Sequence, residues 1–421
     1  MKLLVLRSSF QTDAFVRAEY AELLGLLQRD FAADITILGP EGIDGLKETP
    51  DYVMTATGGV ENLFVQVLPK LKHDVVLVAD GRNNSLAAAL EILSYLRNQG
   101  REGMVFHGGP AEIAEAIRND KKPALSTSTN KHHATTYPDE PLLQGARIGV
   151  FGAPSDWLIA SGVEVEPLRS HYGVELVPID LRRVMEGMDY VDKAEAIRIA
   201  RSSMQRSIAC KEPDENDMVD AASVYLALKK ICEEERLSAM TIRCFDLVNA
   251  CHTTSCLALA LLNDDGVVAG CEGDLQTVLS MLLAKRLCQE AAFMANPSIL
   301  TDDSALLAHC TIPLSMCDDI VLRSHFESSL GVGIQGLLPL GHYTLFKWGG
   351  KEMNRFFVTE TQALSHEQNS HFCRTQILLN TNLKPYLLEK PIGNHHVIIK
   401  GNHAAEIRDF MHRNGVEETI V

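Results

Sequence analysis

The chain has no run approaching the about 18 consecutive apolar residues of a membrane-spanning helix. It is also short of positive charge: 39 Lys and Arg against 55 Asp and Glu leave a net charge of −16. Nucleic acid and anionic membrane, which demand basic surface, are therefore not expected as partners. The ten cysteines contain no CxxC pair, so a zinc ribbon or a thioredoxin-type redox site is not indicated, and most are expected to be small buried hydrophobes. The start, MKLLVLRSSF, is apolar only from Leu3 to Leu6 and lacks a small-residue cleavage site, so it reads as a first β-strand and not as a signal peptide. Free thiols without an export signal point to the cytoplasm. No internal repeat is visible.

At 421 residues the chain exceeds what one core organises, so two or three domains are expected. The first 120 or so residues alternate between short apolar strands (Leu3–Leu6, Ile35–Leu38, Tyr52–Ala56, Val75–Ala79, Met104–Phe106) and helical stretches (Ala14–Arg29, Leu63–Lys70, Leu86–Gln99 and a closing PAEIAEAIRND). The polar segment STSTNKHHATTYPDEP reads as a boundary or crossover. ARIGVFGAPSDW restarts the pattern, followed by the strand ELVPID, helices around 191–209 and 217–233, the strands TIRCFDLV and GVVAGC, and the helix LQTVLSMLLAKRL. YTLFKWG, RFFVTETQAL, TQILLN and HVIIKG are then β-rich, with a last helix near Glu406–His412. The expected fold is α/β: two doubly wound parallel-sheet domains, 1–142 and 143–303, the second carrying the CEGD motif, then a mostly β domain, 304–421.

GVGIQG (331–336) matches the glycine pattern of dinucleotide sites, but Pro339 and Gly341 follow where that motif needs a helix, so the nucleotide reading fails. TATGGVEN (55–62) and GAPSDW (152–157) are more informative, because both sit at the carboxyl edge of a parallel sheet, where ligands bind. Glu61, Asn62 and Trp157 are candidate sugar-binding residues; a plain strand-to-helix turn explains the first segment equally well, and Ser155 reads as a helix cap.

In VVAGCEGDLQTVLSMLL (267–283) two carboxylates mark a hand-over from buried strand to buried helix. Asp274 is placed as a helix N-cap. Glu272 is not explained that way: a buried carboxylate must be paired or bind a metal, and desolvation is expected to raise its pKa and suit it to proton transfer. Histidines that could join it lie in LLAHCTIP (His309), RSHFESSLGVG (His325) and IGNHHVIIKGNH (His395, His396, His403). His395 and His396 must point to opposite faces of a strand. Such a mixed oxygen and nitrogen set suits Mn²⁺ or a similar divalent ion.

CEGDLQTVLSML, FMANPS, LLAHC and GNHHVIIKGNHAAEI, in this order, resemble the L-fucose isomerase-like family and, more distantly, L-arabinose isomerases. The resemblance spans most of the second and third domains, and TGG-E and SDW agree with it more weakly. It implies a metal-dependent aldose–ketose isomerase working through an enediol, with Mn²⁺ and a small sugar substrate. It also implies a trimeric or hexameric homo-oligomer whose active site a neighbouring subunit completes. Glu272 matches the catalytic glutamate and metal ligand, and His396 the C-terminal metal ligand. Asn296 stands where the family carries a second carboxylate, and an amide neither binds metal well nor moves protons; it is retained as a candidate sugar-binding residue. The expected metal group is Glu272, His309 and His396, with His325 as a further candidate and Asp274 or Asp302 as substitute acids. A sulfonated sugar such as sulfoquinovose is an alternative substrate, needing an arginine such as Arg82 or Arg243. A non-catalytic sugar-binding protein and a metal hydrolase are the competing functions.

Overall fold

A computed structural model describes residues 1–46, 49–71, 74–119 and 142–420. The polar segment at 126–141, read above as a boundary, lies outside the described residues. Five strands open the chain: β1 (Lys2–Leu6), β2 (Asp34–Leu38), β3 (Tyr52–Thr55), β4 (Val75–Ala79) and β5 (Gly103–His107). They pair in parallel in the order β2-β1-β3-β4-β5. The core strands read as apolar runs, LLVL (3–6) and VVLVA (75–79), because helices cover both faces of the sheet. The expected helix Ala14–Arg29 is two helices, Asp13–Glu19 and Ala21–Phe31, meeting at Tyr20, whose hydroxyl is anchored on the Ala56 carbonyl.

The second unit has β6 (Arg147–Phe151), β7 (Glu175–Ile179), a two-residue β8 (Ala209–Cys210), β9 (Ala239–Ile242) and β10 (Val268–Gly270). Its parallel sheet runs β10-β9-β6-β7. TIRCFDLV, expected as strand throughout, leaves the sheet after Ile242 and becomes the helix Cys244–Cys251. The helix Leu275–Leu287 is buried on every side from Leu275 to Ala284. It is buried all round, its Gln276, Thr277 and Ser280 included, because it lies between this sheet and the third unit.

The remaining strands are β11 (Ala292–Leu300), β12 (Ala305–His309), β13 (Asp319–Arg323), β14 (Gly333–Leu337), β15 (Gly341–Gly349), β16 (Arg355–His366), β17 (Thr375–Leu379), β18 (His396–Lys400) and β19 (Glu417–Glu418). Antiparallel pairing runs β15-β18-β11-β12-β17-β16, and β16 returns to β15, so six strands close into a barrel with β19 added at one side. β11, within the span read as the second domain, pairs with β12 and β18 and belongs to this barrel. GVGIQG contributes the strand β14, in a small sheet with β13 and β8. Two α/β units followed by a mostly β unit is thus the architecture.

The carboxyl edge of the first sheet docks on the barrel. Gly81, at the end of β4, has φ +98°, and a Cβ there would fall 2.0 Å from the Ser298 carbonyl oxygen, so only glycine permits this approach. The Asn83 amide donates to the His371 carbonyl (3.0 Å), and the Leu300 amide donates to His107 Nε2 (3.0 Å). Opposite Gly81, β11 carries Pro297 and a shift in register against β12 between Pro297 and Ile299. Bulges of this kind often lie beside functional sites, and Asn296 immediately precedes this one.

Candidate active site

A cavity of about 250 Å³ opens where the three units meet. Its wall is drawn from the β1 and β3 loops, Asn84 after β4, Asp156 and Trp157 after β6, Phe245, Glu272, Asn296 on β11, Glu327 and Asn394. Four sugar-binding candidates, Glu61, Asn62, Trp157 and Asn296, line it, as does Glu272.

Glu272 reaches the wall through an unusual backbone. It has φ +63°, rare for a residue with a Cβ, and Gly273 follows at φ +75°. A Cβ on Gly273 would lie 2.6 Å from Pro154 Cα, so the CEGD turn presses on the GAPSDW loop. The Ser155 amide donates to the Glu272 carbonyl (2.9 Å), and the Trp157 indole N–H donates to Glu272 Oε2 (2.6 Å). Trp157 therefore lines the cavity and also holds the glutamate, a second role that the sequence did not suggest.

The other oxygen, Oε1, lies 3.5 Å from His309 Nε2 and 3.6 Å from His395 Nε2. Glu272, His309 and His395 each offer one ligand atom within 4.8 Å of the other two, a geometry able to hold a metal ion. Burial favours neutral Glu272, yet the two histidines outweigh it and keep the carboxyl well below the usual carboxylate range. For His395, burial disfavours the charged form, but Glu272 and Asp274 overcome it and push the pKa up to about 10.

The structure brings His395, not His396, to Glu272. β18 begins at His396, and alternation turns that ring to the opposite face. There its Nδ1 meets the Asn394 carbonyl and its Nε2 the Tyr386 hydroxyl, each at 2.9 Å. Burial, then Lys347, lowers its pKa to about 3. The sequence showed that only one of the pair could face the site but not which one, because that depends on where β18 starts. His395→Gln should therefore lower metal affinity at least tenfold, whereas His396→Gln should leave it within about threefold. Titration of the purified variants with Mn²⁺ checks both.

His325 is also not in the group. Its Nδ1 lies 3.1 Å from Ser328 Oγ, and its ring meets the edge of Phe245. Asp302 is on the surface, paired with Lys384 at 2.9 Å. Asp274 caps the helix as expected, accepting from the Thr277 amide (2.9 Å), but it does not line the cavity. Its Oδ2 meets His395 Nδ1 at 2.9 Å and accepts from the Thr277 hydroxyl at 2.7 Å, with Lys347 Nζ at 3.9 Å. Asp274, Lys347 and His395 are all fully buried. Asp274 thus orients His395 and leaves Nε2 facing Glu272, an arrangement common around metal-binding histidines.

Sequence reasoning also missed Glu327, although it was visible beside His325. It lines the cavity and accepts from Asn84 Nδ2 at 2.5 Å. Burial first, and then Glu272, raise its pKa to about 7. A second possible metal group, Cys288, His403 and Glu406, is a poorer fit. Both ring nitrogens of His403 are already engaged, by Glu406 and by the Lys400 carbonyl.

No helix among the described residues is long and apolar enough to cross a membrane. No family model matches the chain. It is 23% identical over 434 residues to the sulfoquinovose isomerase of Alkalicoccus urumqiensis, an alignment covering 96% of this chain and 95% of that protein. It is 22% identical over 316 residues to the sulfoquinovose isomerase of Clostridium sp. strain MSTE9, covering 72% and 68%. The sulfoquinovose isomerase of Priestia megaterium is 25% identical over 256 residues, covering 59% and 57%. The chain is therefore similar, at a distance and over nearly its full length, to a sugar isomerase.

Proposed function

We propose that the chain is an intramolecular oxidoreductase, an aldose–ketose isomerase that acts on a monosaccharide through an enediol with a divalent metal, Mn²⁺ in the first instance. The observation that carries the metal is His395 Nε2: it is buried and makes no hydrogen bond, with Glu272 Oε1 standing off at 3.6 Å, while Asp274 pins the other ring nitrogen. A buried polar atom left in this state calls for a ligand. One carboxylate oxygen and two imidazole nitrogens suit Mn²⁺, Fe²⁺, Co²⁺ or Zn²⁺. Glu272, His309 and His395 would hold the ion, which when bound would polarise the sugar carbonyl and stabilise charge developing on its oxygens.

The chain's own groups divide the remaining work. Glu272, ionised and fixed by Trp157, is the base for the proton that moves between C2 and C1. Asn62, Asn296 and Asn394 line the cavity and offer amides to the hydroxyl groups, the last two hydrogen-bonded to each other at 3.2 Å. Trp157 and Phe245, in edge contact at 5.0 Å, provide an apolar wall for the C–H face. By its resemblance the enzyme works as a homo-oligomer whose neighbouring subunit completes the cavity, and its free thiols suit a reducing cytoplasm.

A sulfonated sugar is the second reading, favoured by the names of the relatives. Neither proposed arginine lines the cavity. Arg82 is paired with Asp80 (2.6 Å) and Glu19 (2.9 Å). Arg243 is paired with Asp246 (2.9 Å) and with Asp156 (2.8 Å), which does line it, so Arg243 is one side chain away. The deciding experiment screens uncharged aldoses and sulfoquinovose by NMR, with protein treated with chelator and then reloaded with manganese. Ketose should form with manganese and fall at least about 100-fold after chelation. Stoichiometric sugar binding without turnover, indifferent to chelator, would instead mark a sugar-binding protein.

A further inference from the structure

Moving a carbonyl from C1 to C2 requires two proton transfers, one between carbons and one between oxygens. The Glu272 anion can serve the first. Asn296 cannot serve the second, because an amide does not release a proton at ordinary pH. Among the described residues four carboxyl side chains line the cavity, Glu61, Asp156, Glu272 and Glu327, and no Lys, Arg or His does. Asp156 is committed to Arg243, and Glu272 to Trp157 and the two histidines. Glu327 accepts from Asn84.

Glu61 is different. It is only 2% exposed, and its Oε2 has no hydrogen-bond partner. It begins the helix Glu61–Val67, directly after the TGG turn. That turn fits closely: a Cβ on Gly58 would lie 2.9 Å from Asn84 Cβ, which fixes where Glu61 enters the wall. A buried carboxylate with a bare oxygen, and with no Lys, Arg or His of the described residues in the cavity wall, is too costly to hold as an anion and keeps its proton. Burial above all, then Glu91, Glu272 and Glu327, raise its pKa well above the ordinary value, against a smaller opposing effect of its own backbone amide.

We propose that Glu61 is a second catalytic residue, the neutral acid that relays the hydroxyl proton between the two reacting sugar oxygens. This rests on the isomerase reading above. As Glu272 takes the proton from C2, Glu61 gives its own to O1, and the enediol forms. Glu272 then returns its proton to C1 while Glu61 recovers one from the O2 hydroxyl. The C2–H and O2–H bonds break, C1–H and O1–H form, both glutamates end as they began, and no oxidant or reductant is needed.

Glu61→Gln tests this, because glutamine keeps the volume and can donate a hydrogen bond but cannot give up and regain a proton. The turnover number on the best aldose should fall at least about 100-fold. KM, manganese affinity and the calorimetric sugar Kd should all stay within about threefold. Glu61→Asp, which keeps the acid one methylene short, should recover part of the loss, and it decides the matter should the glutamine variant fail to fold. A Glu61→Gln turnover within about threefold of wild type overturns the proposal. So does an activity loss matched by equal losses of metal and sugar binding. If the wild type, loaded with manganese, converts no aldose at all, it is the isomerase reading that fails, a result distinct from equal activity in wild type and variant.

Discussion

Glu272→Gln is expected to lower turnover by about 10³-fold or more while leaving the fold intact. The substitution is nearly isosteric, and the amide oxygen can still accept from the Trp157 indole, so the CEGD turn and its contact with the GAPSDW loop should persist. What disappears is the negative charge between His309 and His395. Under the roles proposed for Glu272, two losses follow together: the base for the carbon-bound proton and one of three metal-ligand atoms. Manganese affinity should fall at least about 100-fold, since removing even an outer partner of a metal ligand costs 10–100-fold. Circular dichroism, metal titration and ketose assay on one preparation test the three statements. Full activity in this variant would remove Glu272 from the mechanism.

The largest effect on stability should come from Asp274→Ala. Asp274 and Lys347 are both fully buried, with 3.9 Å between carboxylate oxygen and ammonium nitrogen. Lys347 keeps a hydrogen bond to Thr277 Oγ1 at 3.1 Å and the more distant attraction of Glu91, which do not replace a directly facing carboxylate. Breaking a buried ion pair from one side costs about 3–5 kcal/mol, and here the helix Leu275–Leu287 also loses its cap, worth about 1 kcal/mol. These figures overlap, because one side chain does both tasks. Denaturant unfolding should show a loss of about 3 kcal/mol or more, and metal affinity should fall too, since His395 loses the group that orients it.

The sign of the pH effect follows from the same contacts. Burial opposes ionisation of Asp274, but Lys347 and His395 prevail and hold its pKa below the ordinary value. The unfolded chain therefore binds more protons at this residue than the native one across the acid range. Its stabilisation is complete above the unfolded pKa, about 4, and fades as pH falls below it. Part of the acid sensitivity of the wild type should be missing in the variant.

Much of the architecture was legible before any coordinates. Apolar strands recurring between amphipathic helices specify parallel α/β units, because both faces of such a sheet must be covered. The loss of helical periodicity after residue 300 likewise announced a β-rich unit. Glu272 stood out because a carboxylate between a buried strand and a buried helix has no cheap structural explanation. TIRCFDLV was less legible: its apolar content suits a strand and a helix equally, and the chain switches from one to the other after Ile242.

The choice between His395 and His396 needed the strand register, since a shift of one residue in where β18 begins exchanges the two rings between faces. Glu61 and Glu327 lie 266 residues apart in the chain. They share one cavity only because the first sheet's carboxyl edge docks on the barrel, with Gly81 against the Ser298 carbonyl. Residue types and periodicity, which are local, were enough to determine the order of α/β and β-rich units and to single out Glu272 as a candidate. Which side chains converge depends on packing between units distant in sequence, and only the tertiary structure decided that.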